Sequence, residues 1–349
     1  MRLRVKDFDV VSPLRSQSIW HALCKFADAK DEGPILSFMR PSSTYVSLGN
    51  HRSYQEIDAE LCERMGIPIY RRMAGGGTVL IDKDQLFFQL TIPSNLISAS
   101  RSLSISTVLS AVSTAFNKTN VPCKLDAYGE VSAENRKLCG HGAMEIGRYM
   151  TIVGNLLEGF NYQLNSALLN LPWEEARDHV RTLMRDFVGP GSDMDYNESA
   201  MKTNIALSLG EILGLAVQEV VNFSEMEPEV SYFDEKLSSS QWVRSENRLI
   251  SHQEQFQLIK IRAQVYVLVL CKTEYKIVVS IVFDEIAKIT YTSRAVGNDV
   301  ESIAYPSLTE MRSVIDFVTN GGETAFVEQI LHLVNEKTST NRSSQHVNV

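Results

Sequence analysis

Arg71-Arg72-Met73-Ala74-Gly75-Gly76-Gly77-Thr78-Val79-Leu80 sits between two segments that read as strands, Ile67–Tyr70 and Val79–Ile81. Three consecutive glycines are costly, because each loses extra backbone entropy on ordering. Such a run implies that something approaches the backbone closely or that φ must be positive. The two arginines upstream point to an anionic visitor, a phosphate or carboxylate held by guanidinium donors and backbone N–H groups. The competing reading is a flexible hairpin turn with two solvated arginines. A plain turn needs only one or two glycines, which favours the binding reading.

A second segment, Asn135-Arg136-Lys137-Leu138-Cys139-Gly140-His141-Gly142-Ala143, again places basic residues beside close glycines and next to a strand-like stretch. Lys137 reads either as a point charge on a phosphate or as a surface lysine. Cys139 reads either as a nucleophile or, more simply, as a small buried hydrophobe. Two familiar nucleotide motifs are excluded. Gly140-His-Gly-Ala-Met-Glu-Ile-Gly147 displaces the third glycine of GxGxxG, and no GxxxxGK[ST] occurs. His21, His51, His141, His179 and His252 show no i, i+4 metal-ligand spacing.

Around these segments, hydrophobic period assigns the elements. Residues 16–30 read as a helix capped by Ser16 or Ser18, and a short helix over Ile57–Met65 ends at Gly66. Pro34–Phe38 and Thr44–Gly49 read as strands. Val79–Ile81 and Leu86–Ile92 flank a turn at Asp82 and suggest an antiparallel pair. A helix over Ser104–Asn117, strands over Cys123–Tyr128 and Tyr149–Leu157, and helices over 173–187 and 198–214 follow, with a loop through Val188-Gly-Pro-Gly. Past residue 245, Phe256–Cys271, Tyr275–Phe283 and Ile286–Thr292 read as a strand meander, and 307–319 and 323–335 as helices. Without a steady βαβ rhythm, the expected fold is α+β, with mixed or antiparallel sheets flanked by helices and a smaller α+β unit behind it.

At 349 residues two domains are expected. A composition 44% apolar and 22% charged excludes collagen-like and largely disordered chains. The net charge of −8 argues against a protein that coats nucleic acid. No apolar stretch reaches the ~18–20 residues needed to cross a bilayer. Asp7 and Asp9 interrupt any apolar leader, so no signal peptide is expected. The five scattered cysteines without CxxC imply free thiols and a cytoplasmic setting.

Taken together, Arg71-Arg-x-x-Gly-Gly-Gly-x-Val-x-x-Asp82 and Arg136-Lys-Leu-x-Gly-x-x-Ala143 resemble the lipoate–protein ligase family. Leu48-Gly-Asn-His-Arg-Ser with Glu56, Leu168-Leu-Asn-Leu-Pro172 with the helix behind it, and Lys236-Leu-Ser-Ser-Ser-Gln-Trp242 extend the likeness over most of 15–245. The resemblance implies a biotin/lipoate ligase-like catalytic domain over 1–245 and an accessory domain over 246–336; the polar stretch 337–349 buries too little apolar surface to order itself and is expected to be a mobile tail. It implies an enzyme that joins lipoate and ATP, with Mg²⁺, into lipoyl-AMP and passes the acyl group to a lysine. The acceptor would be a lipoyl-domain protein: a 2-oxoacid dehydrogenase E2, the glycine-cleavage H protein or a related lipoate-binding protein. By the family pattern Lys137 is the catalytic cation between acyl carboxylate and α-phosphate. Arg72, Gly75, Gly76, Gly77, Thr78, Val79 and Leu80 bind the nucleotide and its adenylate. Tyr45, Leu48, Gly49 and His51 line the lipoyl pocket, and no metal ligand is identified. Arg71, Arg136 and Arg148 form the basic patch expected for docking an acidic acceptor.

The chain departs from the family pattern at Met73-Ala74, where relatives carry Ser, and at Gly129-Glu130, where they carry Asn-Asp. Trp20-His21-Ala22 replaces a carboxylate pair, and Val153-Gly154 replaces His-Gly. Two other readings follow from the same resemblance. One is an octanoyl- or lipoyl-transferase working through a cysteine, for which only Cys139 is placed. The other is a non-catalytic relative that binds lipoate or nucleotide.

Overall fold

The computed structural model describes residues 1–97, 100–190, 195–219, 223–245, 256–271, 275–283, 285–293 and 301–303. The chain divides into a larger unit, Met1–His252 together with Lys260–Ala263, and a smaller one, Gln253–Ile259 together with Gln264–Val349. The expected helices at 307–319 and 323–335 and the tail at 337–349 lie outside the described residues.

In the larger unit the described order is β1 (Arg2–Val11), α1 (Pro13–Lys30), β2 (Ile35–Pro41), β3 (Tyr45–Leu48), α2 (Ala59–Arg64), β4 (Ile69–Arg71), β5 (Val79–Ile81) and β6 (Gln85–Pro93). Then come α3 (Arg101–Lys118), β7 (Lys124–Leu125), β8 (Val131–Ala133), β9 (Arg136–Lys137), β10 (Cys139–Ile146) and β11 (Tyr149–Leu157). The unit closes with α4 (Tyr162–Ala167), α5 (Glu174–Phe187), α6 (Glu198–Leu213), β12 (Ala216–Glu219), α7 (Glu227–Ser238) and α8 (Ser240–Val243).

A six-stranded sheet in the order β10-β11-β6-β2-β1-β12 forms the centre. β1 pairs in parallel with β2 and β12, while the other neighbours run antiparallel. Both faces are covered, which explains why β6 reads as a nearly unbroken apolar run. Its Phe87 points to α1 and packs with Trp20, Leu23, Phe26 and Phe233. Leu86, Phe88, Leu90 and Ile92 point the other way, onto Val108, Val112 and Phe116 of α3 and Ile205 and Leu209 of α6. Two three-stranded sheets, β4-β3-β5 and β7-β8-β9, stand beside it; the first flanks the triple-glycine segment, and the second carries Arg136 and Lys137, ahead of Gly140 and Gly142 on β10.

The mixed-sheet expectation holds, and several local expectations do not. Helix α1 starts earlier than its apolar period shows. Ser12 caps it, its side chain accepting from the Arg15 N–H, with Pro13 at the first position. Ser16 and Ser18 lie inside the helix and donate to the carbonyls of Pro13 and Leu14. β5 and β6 do not pair: β5 lies antiparallel to β3 in a different sheet. The turn at Asp82–Asp84 redirects the chain, and the Gln85 amide holds the Leu80 carbonyl at 3.1 Å. Only Lys124–Leu125 of the expected 123–128 strand forms, because Asp126 gathers the N–H groups of Tyr128 and Glu130 into a turn. The apolar run 256–271 is broken by a turn at Gln264, φ 61°, into β13 (Phe256–Arg262) and β14 (Val265–Cys271).

The smaller unit, with β15 (Tyr275–Val282), β16 (Glu285–Ser293) and β17 (Glu301–Ile303), has the strand order β13-β14-β15-β16-β17. Val267, Leu268, Val269 and Leu270 of β14 and Ile277, Val278 and Val279 of β15 are buried on both faces.

Candidate functional site

The triple-glycine segment is a loop between β4 and β5 whose shape is set by the two arginines ahead of it. Arg72 Nη1 donates to the Ser47 carbonyl at 2.8 Å, and Nη2 donates to the carbonyls of Gly75 at 2.8 Å and Gly77 at 2.7 Å. Its Nε also reaches Gly75 O at 3.2 Å. In a trans peptide the N–H points opposite to the C=O of the same unit, and there is no cis peptide bond among the described residues. The N–H groups of Gly76 and Thr78 are therefore turned away from the guanidinium. Neither donates to a protein acceptor among the described residues. The loop thus presents backbone donors outward, the arrangement that accepts an anion.

Two glycines make this curvature possible. Gly76 has φ +91°, and a Cβ on Gly49 would lie 2.1 Å from the Gly76 carbonyl oxygen. The backbone of β3's end and the loop tip touch directly, and only glycine permits that approach. Asn50 N–H fixes the loop base at the Ala74 carbonyl, 3.0 Å away. His21 of α1 holds it from below: its Nε2 accepts the Met73 N–H at 3.1 Å while Nδ1 meets the Gln17 carbonyl at 2.6 Å. That pattern requires a neutral ring protonated on Nδ1. Burial, chiefly, pushes the His21 pKa down to about 3. Trp20-His21, which departs from the family pattern, is thus a buried support for the loop.

Arg71 has a different fate from the sequence expectation. It is 0% exposed, and its donors are used by the carbonyls of Gly49 at 3.1 Å, Arg52 at 2.6 Å and Val243 at 2.8 Å. Trp242 Nε1 returns a hydrogen bond to the Arg71 carbonyl at 2.8 Å. Arg71 ties α8 to the loop's approach strand. Arg72 likewise spends its donors on carbonyls, those of Ser47, Gly75 and Gly77, and so orders the loop.

The Thr78 hydroxyl donates to Glu56 at 3.0 Å, and Glu56 is paired with Arg52. Gly75 and Gly77 are partly exposed, Gly76 and Val79 are exposed, and Leu80 is buried beside Val46 and Leu48. The four residues expected at the lipoyl pocket differ in exposure. Tyr45 is buried with its hydroxyl accepting from Ser16 and Gln17, Leu48 is buried in the core, Gly49 lies beneath Gly76, and His51 is exposed.

Lys137 lies on β9, in the hairpin β8–β9 that feeds directly into β10. Its Nζ is 2.8 Å from Glu130 Oε1, and its side chain is 18% exposed. β10 carries the second glycine segment along the base of the loop, where a Cβ on Gly142 would stand 4.0 Å from that of Ala74. The two motifs therefore converge on one region of one unit. His141, on β10, has its pKa pushed down to about 4 by burial and then by Lys137, and its Nδ1 has no hydrogen-bond partner among the described residues. Cys139 is fully buried, and burial pushes its thiol up to about 12. A thiol so placed is a poor nucleophile near neutral pH, which counts against the nucleophile reading.

The basic docking patch also needs correction. Arg71 is buried, and Arg136 donates to the carbonyls of Val188 at 3.0 Å and Gly189 at 3.1 Å and to the Tyr162 hydroxyl. Arg148 alone is at the surface, 70% exposed and paired with Asp28 and Asp31. Long side chains with many donors were drawn inward to carbonyls, a fate that composition does not reveal. Among the described residues no three His, Cys, Asp or Glu side chains are placed to hold a metal ion.

Comparison with known proteins gives a consistent picture. The profile of the lipoyl protein ligase A/B catalytic domain matches residues 12–190. A curated relative, lipoate-protein ligase A subunit 1 of Thermoplasma acidophilum, is 24% identical over 222 residues, covering 60% of this chain and 84% of that one. The octanoyltransferase LipM of Exiguobacterium sibiricum is 32% identical over 87 residues, which are 25% of this chain and 31% of that protein. Among solved structures, a bi-partite lipoate protein ligase of T. acidophilum, described with its E2 lipoyl domain, aligns with a TM-score of 0.62 at 22% identity. It covers 71% of this chain and 97% of that one. A lipoate-protein ligase A bound with ATP aligns at 0.57 with 19% identity, covering 70% and 99%.

Proposed function

Because the chain belongs to the lipoyl protein ligase A/B catalytic-domain family, we propose that it is an ATP-dependent lipoate–protein ligase. The observation that carries this reading is the outward-facing Gly76 and Thr78 amides, held by Arg72 in the same unit as a lysine at the edge of solvent. A donor-lined loop and a cation suit a reaction that brings two anions together.

In the first step a lipoate carboxylate oxygen attacks the α-phosphorus of ATP. The bond from that phosphorus to the bridging oxygen breaks, and pyrophosphate leaves. Lys137 supplies positive charge between the carboxylate and the α-phosphate, and the loop amides take a phosphate oxygen. In the second step a neutral acceptor lysine amine attacks the acyl carbonyl carbon, the acyl–phosphate bond breaks, and AMP and a proton depart. The acceptor is a lipoyl-domain protein. Glu130 and Asp126, the carboxylates nearest Lys137, are each already held by cationic side chains. The residues therefore do not fit a resident Mg²⁺, and the ion would enter on the phosphates. Five free cysteines suit a reducing cytoplasm.

The test is incubation of the full chain with lipoate, ATP and an apo-lipoyl domain, following pyrophosphate and the acceptor's mass. A ligase releases pyrophosphate only with lipoate present and adds one lipoyl group to the acceptor. Acyl transfer from a carrier without pyrophosphate release would establish the transferase reading instead. Lys137→Ala is expected to lower kcat about 10²–10³-fold, the scale of one lost electrostatic donor. Nucleotide bound without turnover in the unsubstituted chain would leave only a binding protein.

A further inference from the structure

Lys137 is not alone in its hairpin. Glu130, 2% exposed, uses Oε1 to accept both the Lys137 ammonium at 2.8 Å and the Ala263 N–H at 3.1 Å. Its other oxygen, Oε2, lies 3.0 Å from Arg262 Nε. Arg262 is 1% exposed and is carried by Lys260–Ala263, the short stretch that belongs with the larger unit. It also pairs with Asp126, at the turn before β8, and donates to the Asn135 carbonyl, at the turn between β8 and β9. Glu134 and Asn135 both take positive φ there, 49° and 64°. One guanidinium therefore grips both ends of the hairpin that carries the lysine.

The charge count explains the arrangement. A lysine paired privately with a buried carboxylate would be neutralised where two anionic substrates have to meet. Here the Glu130 carboxylate is divided between two cations, so Lys137 retains attraction for an incoming phosphate. The Arg262 guanidinium, in ion-pair contact with Oε2 without hydrogen-bond geometry, and the Ala263 N–H on Oε1 leave Glu130 with a counter-charge when the ammonium is released. The arginine fork can serve several acceptors at once in a fixed geometry, which a lysine at that position could not.

We infer that Glu130 and Arg262 are positioning residues for Lys137, Glu130 aiming the ammonium and Arg262 setting how firmly it is held. This rests on the ligase reading of Lys137. The other titratable groups whose charge Lys137 feels are Cys139 and His141 on β10 and Lys260 on β13.

The test combines a chemical and a kinetic readout on the full chain. The chemical one is competitive amine labelling of Lys137 at fixed pH, read by peptide mass spectrometry. Glu130→Gln is expected to raise the Lys137 labelling rate several-fold, because the carboxylate that holds the ammonium at 2.8 Å is gone. In lipoate-dependent pyrophosphate release kcat falls about tenfold with KM for lipoate little changed. Glu130→Asp restores most of both. Arg262→Lys lowers the labelling rate, because Glu130 then leans more heavily on Lys137. It also reports on the pair if Glu130→Gln does not fold. An unmoved labelling rate in both variants, or a raised KM at unchanged kcat, would overturn the inference. If the unsubstituted chain releases no pyrophosphate, the ligase reading falls, while the labelling rates still decide whether Glu130 and Arg262 control Lys137.

Discussion

The Arg72 guanidinium holds the Gly77 carbonyl at 2.7 Å, and so turns the Thr78 N–H in the opposite direction. The side chain that reads as an anion's partner instead shapes the backbone that can be one. Arg72→Lys is expected to test this. A single ammonium cannot reach Ser47, Gly75 and Gly77 together, and losing charge-assisted bonds at a partly buried site costs about 1.5–3 kcal/mol. The variant should melt at lower temperature and bind ATP about tenfold or more weakly by calorimetry, since the loop amides lose their orientation. Unchanged affinity in a folded Arg72→Lys protein would show that the amides do not contact the nucleotide.

Gly49 and Gly75 should respond oppositely to alanine. A methyl on Gly49 would lie 2.1 Å from the backbone oxygen of Gly76, which cannot yield without moving the loop tip. Overpacking of this kind costs about 1–3 kcal/mol, visible as a lower urea midpoint with unchanged slope. A methyl on Gly75 meets nothing within 4 Å and Gly75 does not have positive φ. Gly75→Ala should therefore leave stability within roughly 0.5 kcal/mol. Equal destabilisation of the two would contradict the packing described.

Much of the scaffold was legible because it is written in side-chain period. β11 at Tyr149–Leu157 and α5 at Glu174–Phe187 follow from alternation and helical spacing almost residue for residue. What was not legible depends on partners distant in sequence. β5 and β6 look like a hairpin because only a tight turn separates them, yet β5 finds β3 and β6 finds β2 and β11. Within the site, the two glycine segments marked the right region, but not which atoms of it face outward. Arginine's donors fit carbonyls as readily as phosphates, so Arg71, Arg72 and Arg136 could not be assigned from spacing. Glu130 and Arg262 are 132 positions apart in the chain. No motif joins them, and Gly129-Glu130 stood out only as a departure from the family's Asn-Asp.

Cys139 separates ligase from cysteine-dependent transferase chemistry. Its thiol is buried among Leu138, Val131 and Leu156, and burial raises it to about 12. It should resist iodoacetamide in the native protein at neutral pH and become reactive on unfolding. Cys139→Ala should keep lipoate-dependent pyrophosphate release within a few-fold, with a modest loss of stability from the small cavity. Complete loss of acyl transfer by a folded Cys139→Ala protein, with normal nucleotide binding, would favour the transferase.

The His21 support gives the loop a pH dependence whose sign is fixed by burial. In the folded chain the ring titrates at about 3, against an ordinary 6.5 when unfolded. Between those values the unfolded state binds the proton and the folded state does not. The stability that neutral His21 contributes is therefore fully present above pH 6.5 and declines as pH falls towards 3, by up to about 1.4 kcal/mol per pH unit. Protonation would also remove the Nε2 acceptor of the Met73 N–H. The loop should loosen before the rest of the unit unfolds, and amide exchange at Met73 should accelerate first. Urea titrations across this range should show a shallower acid slope for His21→Gln, whose amide oxygen can accept from Met73 without titrating. An identical slope in both proteins would mean that His21 is already protonated in the folded chain, and that the Met73 contact is not what holds the loop.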